Sequence, residues 1–283
     1  MKTTTLLMQC VLVSVAWTQT RVAPPASVGQ GRSIPLTAEP ETDKSRAELD
    51  RILVVRAAIT GSDPGRGLVG VAVEVQNVSG RTITAHAGSV VAHYADGHEV
   101  SRGWSEDVLM DTVLAQTPGL TVQFPRTLRS GETRQLKQLL PAGADGSAPL
   151  YLAARATTVV FEDRTALGSS REIGAISEAR RLHSEDLLDV IGRIQTAQAH
   201  PLVLAAIRTH ADPMPALRAA LSEQIKQVGD VPARRAASRS GMLQEWLKLL
   251  QNGAPPVILD SVVRSNQVVQ RAMADHSTLT EAK

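Results

Sequence analysis

A mainly β fold with an added α region is predicted: an antiparallel β-sandwich over residues 45–170, followed by a helical C-terminal region over 171–283. Three observations carry this prediction. From Arg51 to Gly168, short apolar and β-branched runs recur at intervals of roughly ten residues, separated by Gly, Pro and Asp. In one of them Val69, Val71, Val73 and Val75 alternate with Gly70, Ala72, Glu74 and Gln76, the period of a strand with one buried face. Beyond Ser170 the apolar spacing lengthens to that of helices.

Residues 1–16 open with Lys2, continue as an apolar run from Leu6, and place Ser14 and Ala16 like a small-residue cleavage site. This is the pattern of a secretory signal peptide. The apolar run is about eleven residues, short of the roughly 20 that span a bilayer, so no membrane span is expected in the mature chain. Two alternatives are an N-terminal anchor that is retained and a lipoprotein signal acylated at Cys10. Gln9 stands where a lipobox wants Gly, Ala or Ser, which argues against the second. Residues 17–44, with Pro24, Pro25, Pro35 and Pro40, read as a Pro-rich flexible linker. Ser45 and Glu48 then have the spacing of a capping box for a short helical turn.

Strands are expected at Leu53–Thr60, Leu68–Gln76, Arg81–Ala85, Ser89–Ala95, His98–Gly103, Leu120–Phe124, Thr133–Leu139, Leu150–Phe161 and Thr165–Leu167. GSDPGRG, residues 61–67, lacks the Lys-Ser/Thr of a phosphate-binding loop and reads as a hairpin turn. Trp104–Gly119 reads as a helical excursion capped by Ser105, with Glu106 and Asp107 in its first turn. In the C-terminal region Ser184 reads as a cap for Leu187, Val190, Ile191 and Ile194. Pro201 opens the next helix, and the stripe Leu217, Leu221, Ile225 and Val228 stops at Gly229. Leu243, Trp246, Leu247 and Leu250 form a stripe between Ser240 and Gly253, and a last helix reaches about Met273. The joint VPARRAASRSG, with Arg234, Arg235 and Arg239, reads as a solvated, protease-sensitive linker rather than an anion patch.

The strings VAVEVQNVSGRTITAH, VVAHYADGHEV, LRSGETRQL and VVFEDRTALG together resemble the immunoglobulin-like or FxLYD-like domains of uncharacterised exported bacterial proteins. The resemblance rests on an Asn-x-Ser-Gly turn, an Asp-Gly hairpin after an aromatic strand, a Ser-Gly-Glu-Thr turn and a Phe-Glu-Asp turn. It covers residues 50–170, although the Phe-x-Leu-Tyr-Asp run itself is absent. It implies an immunoglobulin-like sandwich in an exported protein and brings no catalytic residues with it.

Candidate chemistry is sparse. His93 and His98 flank Asp96-Gly97, and a two-residue loop would set both on one face as half a metal site. A three-residue loop with Gly97 left-handed pairs Tyr94 with His98 and His93 with Glu99, and gives the better apolar stripe of Val90, Ala92, Tyr94 and Val100. That register sends the histidines to opposite faces. A structural zinc takes four ligands and a catalytic one three, and His86 is the sole other histidine nearby, so no metal is expected. Glu106, Asp107 and Asp111, and again Glu185, Asp186 and Asp189, read as acidic first turns favoured by the helix dipole. No nucleophile-elbow, penicillin-binding or zinc-protease motif occurs, and no calcium-loop pattern. Asn77-Val78-Ser79 matches a glycosylation sequon but occupies a predicted turn.

Composition narrows the function. The formal net charge of +2 gives no electrostatic argument for nucleic acid or anionic membranes. Seven aromatic residues supply few stacking platforms for single strands. Cys10, the one cysteine, leaves with the signal, so neither disulfide nor thiol chemistry is expected. The expectation is an exported, periplasmic or secreted, non-enzymatic protein without cofactor, which contacts another envelope or secreted protein. Trp246, Leu247 and Leu250 form the candidate interaction patch. The alternative is an extracytoplasmic hydrolase whose site is assembled from scattered residues.

Overall fold

The computed structural model describes residues 43–63, 65–116, 127–228 and 232–282. The expected signal peptide, nearly all of the expected linker and the expected strand at Leu120–Phe124 lie outside them. Among the described residues the order begins with helix α1 (Asp43–Asp50), followed by seven strands: β1 (Leu53–Asp63), β2 (Leu68–Asn77), β3 (Ile83–His93), β4 (Glu99–Asp107), β5 (Thr133–Pro141), β6 (Tyr151–Phe161) and β7 (Thr165–Gly168). Helix α2 (Leu109–Gln116) stands between β4 and β5. Helices α3 (Ser170–Gln198), α4 (Pro201–Arg208), α5 (Met214–Lys226), α6 (Ala233–Gln251) and α7 (Ile258–Asp275) follow, and a short β8 (Thr280–Glu281) closes the order.

The strands form two sheets, one in the order β1-β2-β5 and one in the order β4-β3-β6-β7-β8. All pairings are antiparallel except that of β7 with β8. The fold class is therefore mixed: mostly antiparallel sheets together with helices. The alternating valines explain the first sheet, because Val69, Val71, Val73 and Val75 are all within 1% of fully buried. They share one apolar cluster with Val90, Ala92, Trp104, Val159 and Phe161 of the second sheet. Each buried aliphatic of this kind contributes about 1.5–3 kcal/mol.

The crossing from β2 to β3 is organised by Asn77, which is fully buried. Its amide nitrogen donates to the carbonyls of Arg81 (2.7 Å) and Leu128 (2.8 Å), and its amide oxygen accepts from the Ser79 N–H and hydroxyl. The sequon's acceptor nitrogen is thus consumed by the fold. We expect Asn77→Asp to cost about 2–4 kcal/mol in urea unfolding, because a carboxylate cannot donate to two buried carbonyls and repels both. A loss below about 0.5 kcal/mol would show that this corner relaxes freely.

Several local expectations are corrected. β3 is one strand where two were expected, because Ala85 to Gly88 stay in the ladder through irregular register against β6. Trp104, Ser105 and Glu106 belong to β4 and not to a helix, which begins only at Leu109; Asp107 Oδ1 accepts from the Leu109 N–H. Ser184 lies inside the 29-residue α3, whose cap is Ser169. The Ser184 hydroxyl instead meets Gln270 of α7 across the helix pair. Likewise α6 begins at Ala233, so the expected linker at Arg234–Arg239 is helical.

Beyond Ser170 the helices bury a second core of Val190, Ile194, Leu217, Leu221, Leu243 and Leu250. They are not separate from the sheets. Glu172 of α3 accepts from the hydroxyls of Thr157 and Thr158 on β6. Ile173 packs with Ala85, Val160 and Ala166 on the sheet's outer face, and β8 extends the same sheet.

Candidate functional site

The hairpin between β3 and β4 has the three-residue register. His93 pairs with Glu99, the Tyr94 N–H donates to the His98 carbonyl, and Gly97 is left-handed at φ +84°. Tyr94 stacks on His98 and His93 on Tyr151, so the two imidazoles lie on opposite faces. Among the described residues no three His, Asp or Glu side chains converge as a metal-binding group.

A polar cluster sits between the sheets. His86 on β3 is 2% exposed, with Nε2 3.1 Å from Glu106 Oε2 on β4, off the direction of a ring hydrogen bond. Arg134 on β5 donates to the same Glu106 oxygen at 2.7 Å. Burial works to raise the Glu106 carboxyl, and its partners His86 and Arg134 outweigh this, so that it titrates below the usual glutamate range. Trp104 stands edge-on to His86, with ring centres 5.3 Å apart. This arrangement ties the edge strands of the two sheets together. His86, Trp104, Glu106 and Arg134 line neither surface cavity described below.

The two acidic groups are not helix first turns. Asp107 accepts a bidentate pair from Arg180 of α3, Nε at 2.8 Å and Nη2 at 3.0 Å. Arg180 is 1% exposed, and its guanidinium also reaches Thr84 Oγ1 and the His276 carbonyl. Asp186, buried on α3, takes Arg235 and Arg239 of α6, while Glu185 takes Arg181 and Arg235, and Asp189 takes Arg193 and Arg239. The acidic residues of α3 and the basic residues of α6 are therefore one network. Sequence reading separated them because each lies about 50 positions from its partner. The side chains of Asp111 and Arg234 lie outside the described set.

Leu250 is fully buried, and Trp246 and Leu247 are half-buried against the helical core. Large exposed apolar side chains are spread over strands and helices, and three of them fall on one short helix. The eight-residue α4 buries Val203 alone and exposes Leu202 (64%), Leu204 (38%) and Ile207 (56%). His200 caps the helix by accepting from the Leu202 N–H, and Pro201 fixes its first turn. A groove of about 330 Å³ adjoins it, walled by Ala197, Leu202, Ala216, Ala219 and Ala220, with Glu223 on its rim. A second hollow of about 320 Å³ lies at the β6–β7 turn beside Arg81, Phe161 and Asp163. Three of its lining side chains are engaged with one another: Arg81 covers the Phe161 ring and bridges Asp163. No described helix is long and apolar enough to cross a membrane.

No protein-family model matches the chain, and no curated protein does. Among solved structures, a Bordetella pertussis protein assigned as ApaA is 13% identical. The match covers 42% of this chain and 91% of that chain, with a TM-score of 0.24. A likeness at that level carries neither fold nor function across.

Proposed function

We propose that this chain is an exported, non-enzymatic protein-interaction module whose two sheets form an immunoglobulin-like sandwich and whose helical region carries the binding surface. The observation that supports this reading is the apolar exposure of α4. Leu202 remains in water on the wall of an alanine-lined groove, and Leu204 and Ile207, one turn apart, remain in water on another side of the same helix. Apolar surface left exposed in this way marks sites of association. Small alanine walls leave room for bulky aliphatic side chains, so the partner that fits is an amphipathic helix of another envelope or secreted protein. This moves the interaction patch away from Trp246, Leu247 and Leu250. Export rests on the signal-like pattern of residues 1–16, and N-terminal sequencing of the mature protein should begin after Ala16.

The binding reading is tested by placing a photo-crosslinking residue at Leu204 of the full chain in its native cells. The expected result is one reproducible partner, captured by the native α4 face and lost in Leu202→Asp/Ile207→Asp, whereas Leu139→Asp on the far sheet leaves capture intact. A product that survives the double substitution, or self-crosslinking alone, would overturn it.

A further inference from the structure

We propose that His276 is a proton-operated latch, whose protonation releases β8 from β7 and opens that edge of the five-stranded sheet. This goes beyond the α4 reading and does not depend on it. Two guanidinium groups hold the backbone at the root of β8. Arg180 Nη1 donates to the His276 carbonyl at 3.2 Å, and Arg164 Nη1 to the Asp275 carbonyl at 3.3 Å. The Ser177 hydroxyl donates to the Ser277 carbonyl. From that root the Thr280 N–H donates to the Arg164 carbonyl and the Ala282 N–H to the Ala166 carbonyl. A two-residue strand, paired at Thr165–Thr280 and Ala166–Glu281, leaves the docking of β8 sensitive to modest electrostatic change.

The imidazole Nδ1 is buried and has no hydrogen-bond partner among the described residues. An imidazolium donates from both nitrogens, and the Nδ1 side offers it no acceptor. Protonation also sets a third cation against Arg180 of α3 and Arg164 of the β6–β7 turn. The anions that face it are Asp107 of β4, already bidentate with Arg180, and Asp275 of its own helix. On β8, Glu281 is turned to the Ser170 hydroxyl. The latch is therefore closed when His276 is neutral.

Burial first, then Arg180 and Arg164, hold His276 below the ordinary imidazole value, with Asp275 and Asp107 opposing. The sign follows from linkage. A histidine whose docked pKa lies below its free value of about 6.5 leaves docking intact above that value, and docking weakens as pH falls through the interval below it. His183 of α3 is also held low by burial against the pull of Asp186 and Asp107. Its buried Nε2 makes no hydrogen bond to β8, and it serves as the control.

The test is amide hydrogen exchange of the full chain at about pH 7.5 and about pH 5, read as protection factors corrected for intrinsic exchange. In the native chain, protection at Thr280 and Ala282 should fall about tenfold or more at the lower pH, while Val73 and Leu221 stay protected. His276→Gln should abolish that fall and His183→Gln should leave it. Should His276→Gln fail to dock β8 even at the higher pH, Asp275→Asn decides, because it removes an anion that opposes Arg180 and Arg164, keeps the backbone carbonyl that Arg164 holds, and must move the midpoint to higher pH. Unchanged protection in the native chain, an equal fall in His276→Gln, or an unmoved midpoint in Asp275→Asn would overturn the latch.

Discussion

Arg180→Ala lowers the unfolding free energy by about 3 kcal/mol, the low end of the range for stripping one partner from a buried ion pair. Arg180 is 1% exposed and joins three elements at once: Asp107 of β4, Thr84 of β3 and the end of α7. Its removal leaves Asp107 without its bidentate donor and the Thr84 hydroxyl short of one contact, and a cavity remains where the guanidinium lay. The loss is not larger because Asp107 keeps 28% of its side-chain surface in water and rehydrates in part. Urea unfolding reads the effect as a lowered midpoint. A paired Arg180→Met/Asp107→Leu replacement should recover most of the loss, because an apolar pair of similar volume spares both desolvation costs. If Arg180→Ala costs less than about 1 kcal/mol, the pair is effectively solvated and does not hold helices to sheet.

Gly88→Ala is expected to cost about 3 kcal/mol, the upper end of overpacking penalties, because nothing around the site can give cheaply. An added Cβ would lie 2.2 Å from Trp104 Cζ2 and 2.4 Å from the Arg155 carbonyl oxygen. One is a ring locked in the layer between the sheets, and the other is backbone of the neighbouring strand β6. The register irregularity between Ala87 and Gly88 is what brings that carbonyl so near. Thermal unfolding should show the loss, and Trp104 should become more accessible to fluorescence quenchers. Native stability and native quenching in the Gly88→Ala variant would mean that the irregularity slides to make room.

Much of this architecture is legible from local pattern. The valine alternation places β2, and the punctuation places β1, β5, β6 and β7 within a few residues. The apolar stripe Val90, Ala92, Tyr94 and Val100 is enough to select the hairpin register. What is not legible depends on partners far along the chain. Asp107 and Asp186 read as dipole-favoured helix starts because an acidic residue near a Ser looks the same whether it faces solvent or an arginine about 50 to 75 positions away. Arg235 and Arg239 read as a linker for the same reason, since small and basic residues suit both an exposed joint and a helix whose charges are neutralised. The exposed face of α4 escapes sequence reading because PLVLAAIR has the composition of a buried helix, and only its packing shows that Val203 alone is covered. Tyr94 and Trp104 are core candidates by residue type, but the close approach of Trp104 to Gly88 rests on their direct pairing across β3 and β4, a register set by the whole hairpin.

The parallel pairing of β8 with β7 also fixes an order of events. Arg164 and Asp275 meet across 111 positions, so the last strand of the sheet cannot join it until every described helix has been synthesised. Contacts of such sequence separation are slow to form, because loop-closure entropy must be met before they yield any stabilisation. During vectorial synthesis the other strands and the α3 attachment can assemble first, leaving a nascent sheet with a bare flank. Closure of that flank then waits for α7 to emerge, and a chain stalled within α7 would present it to other nascent chains.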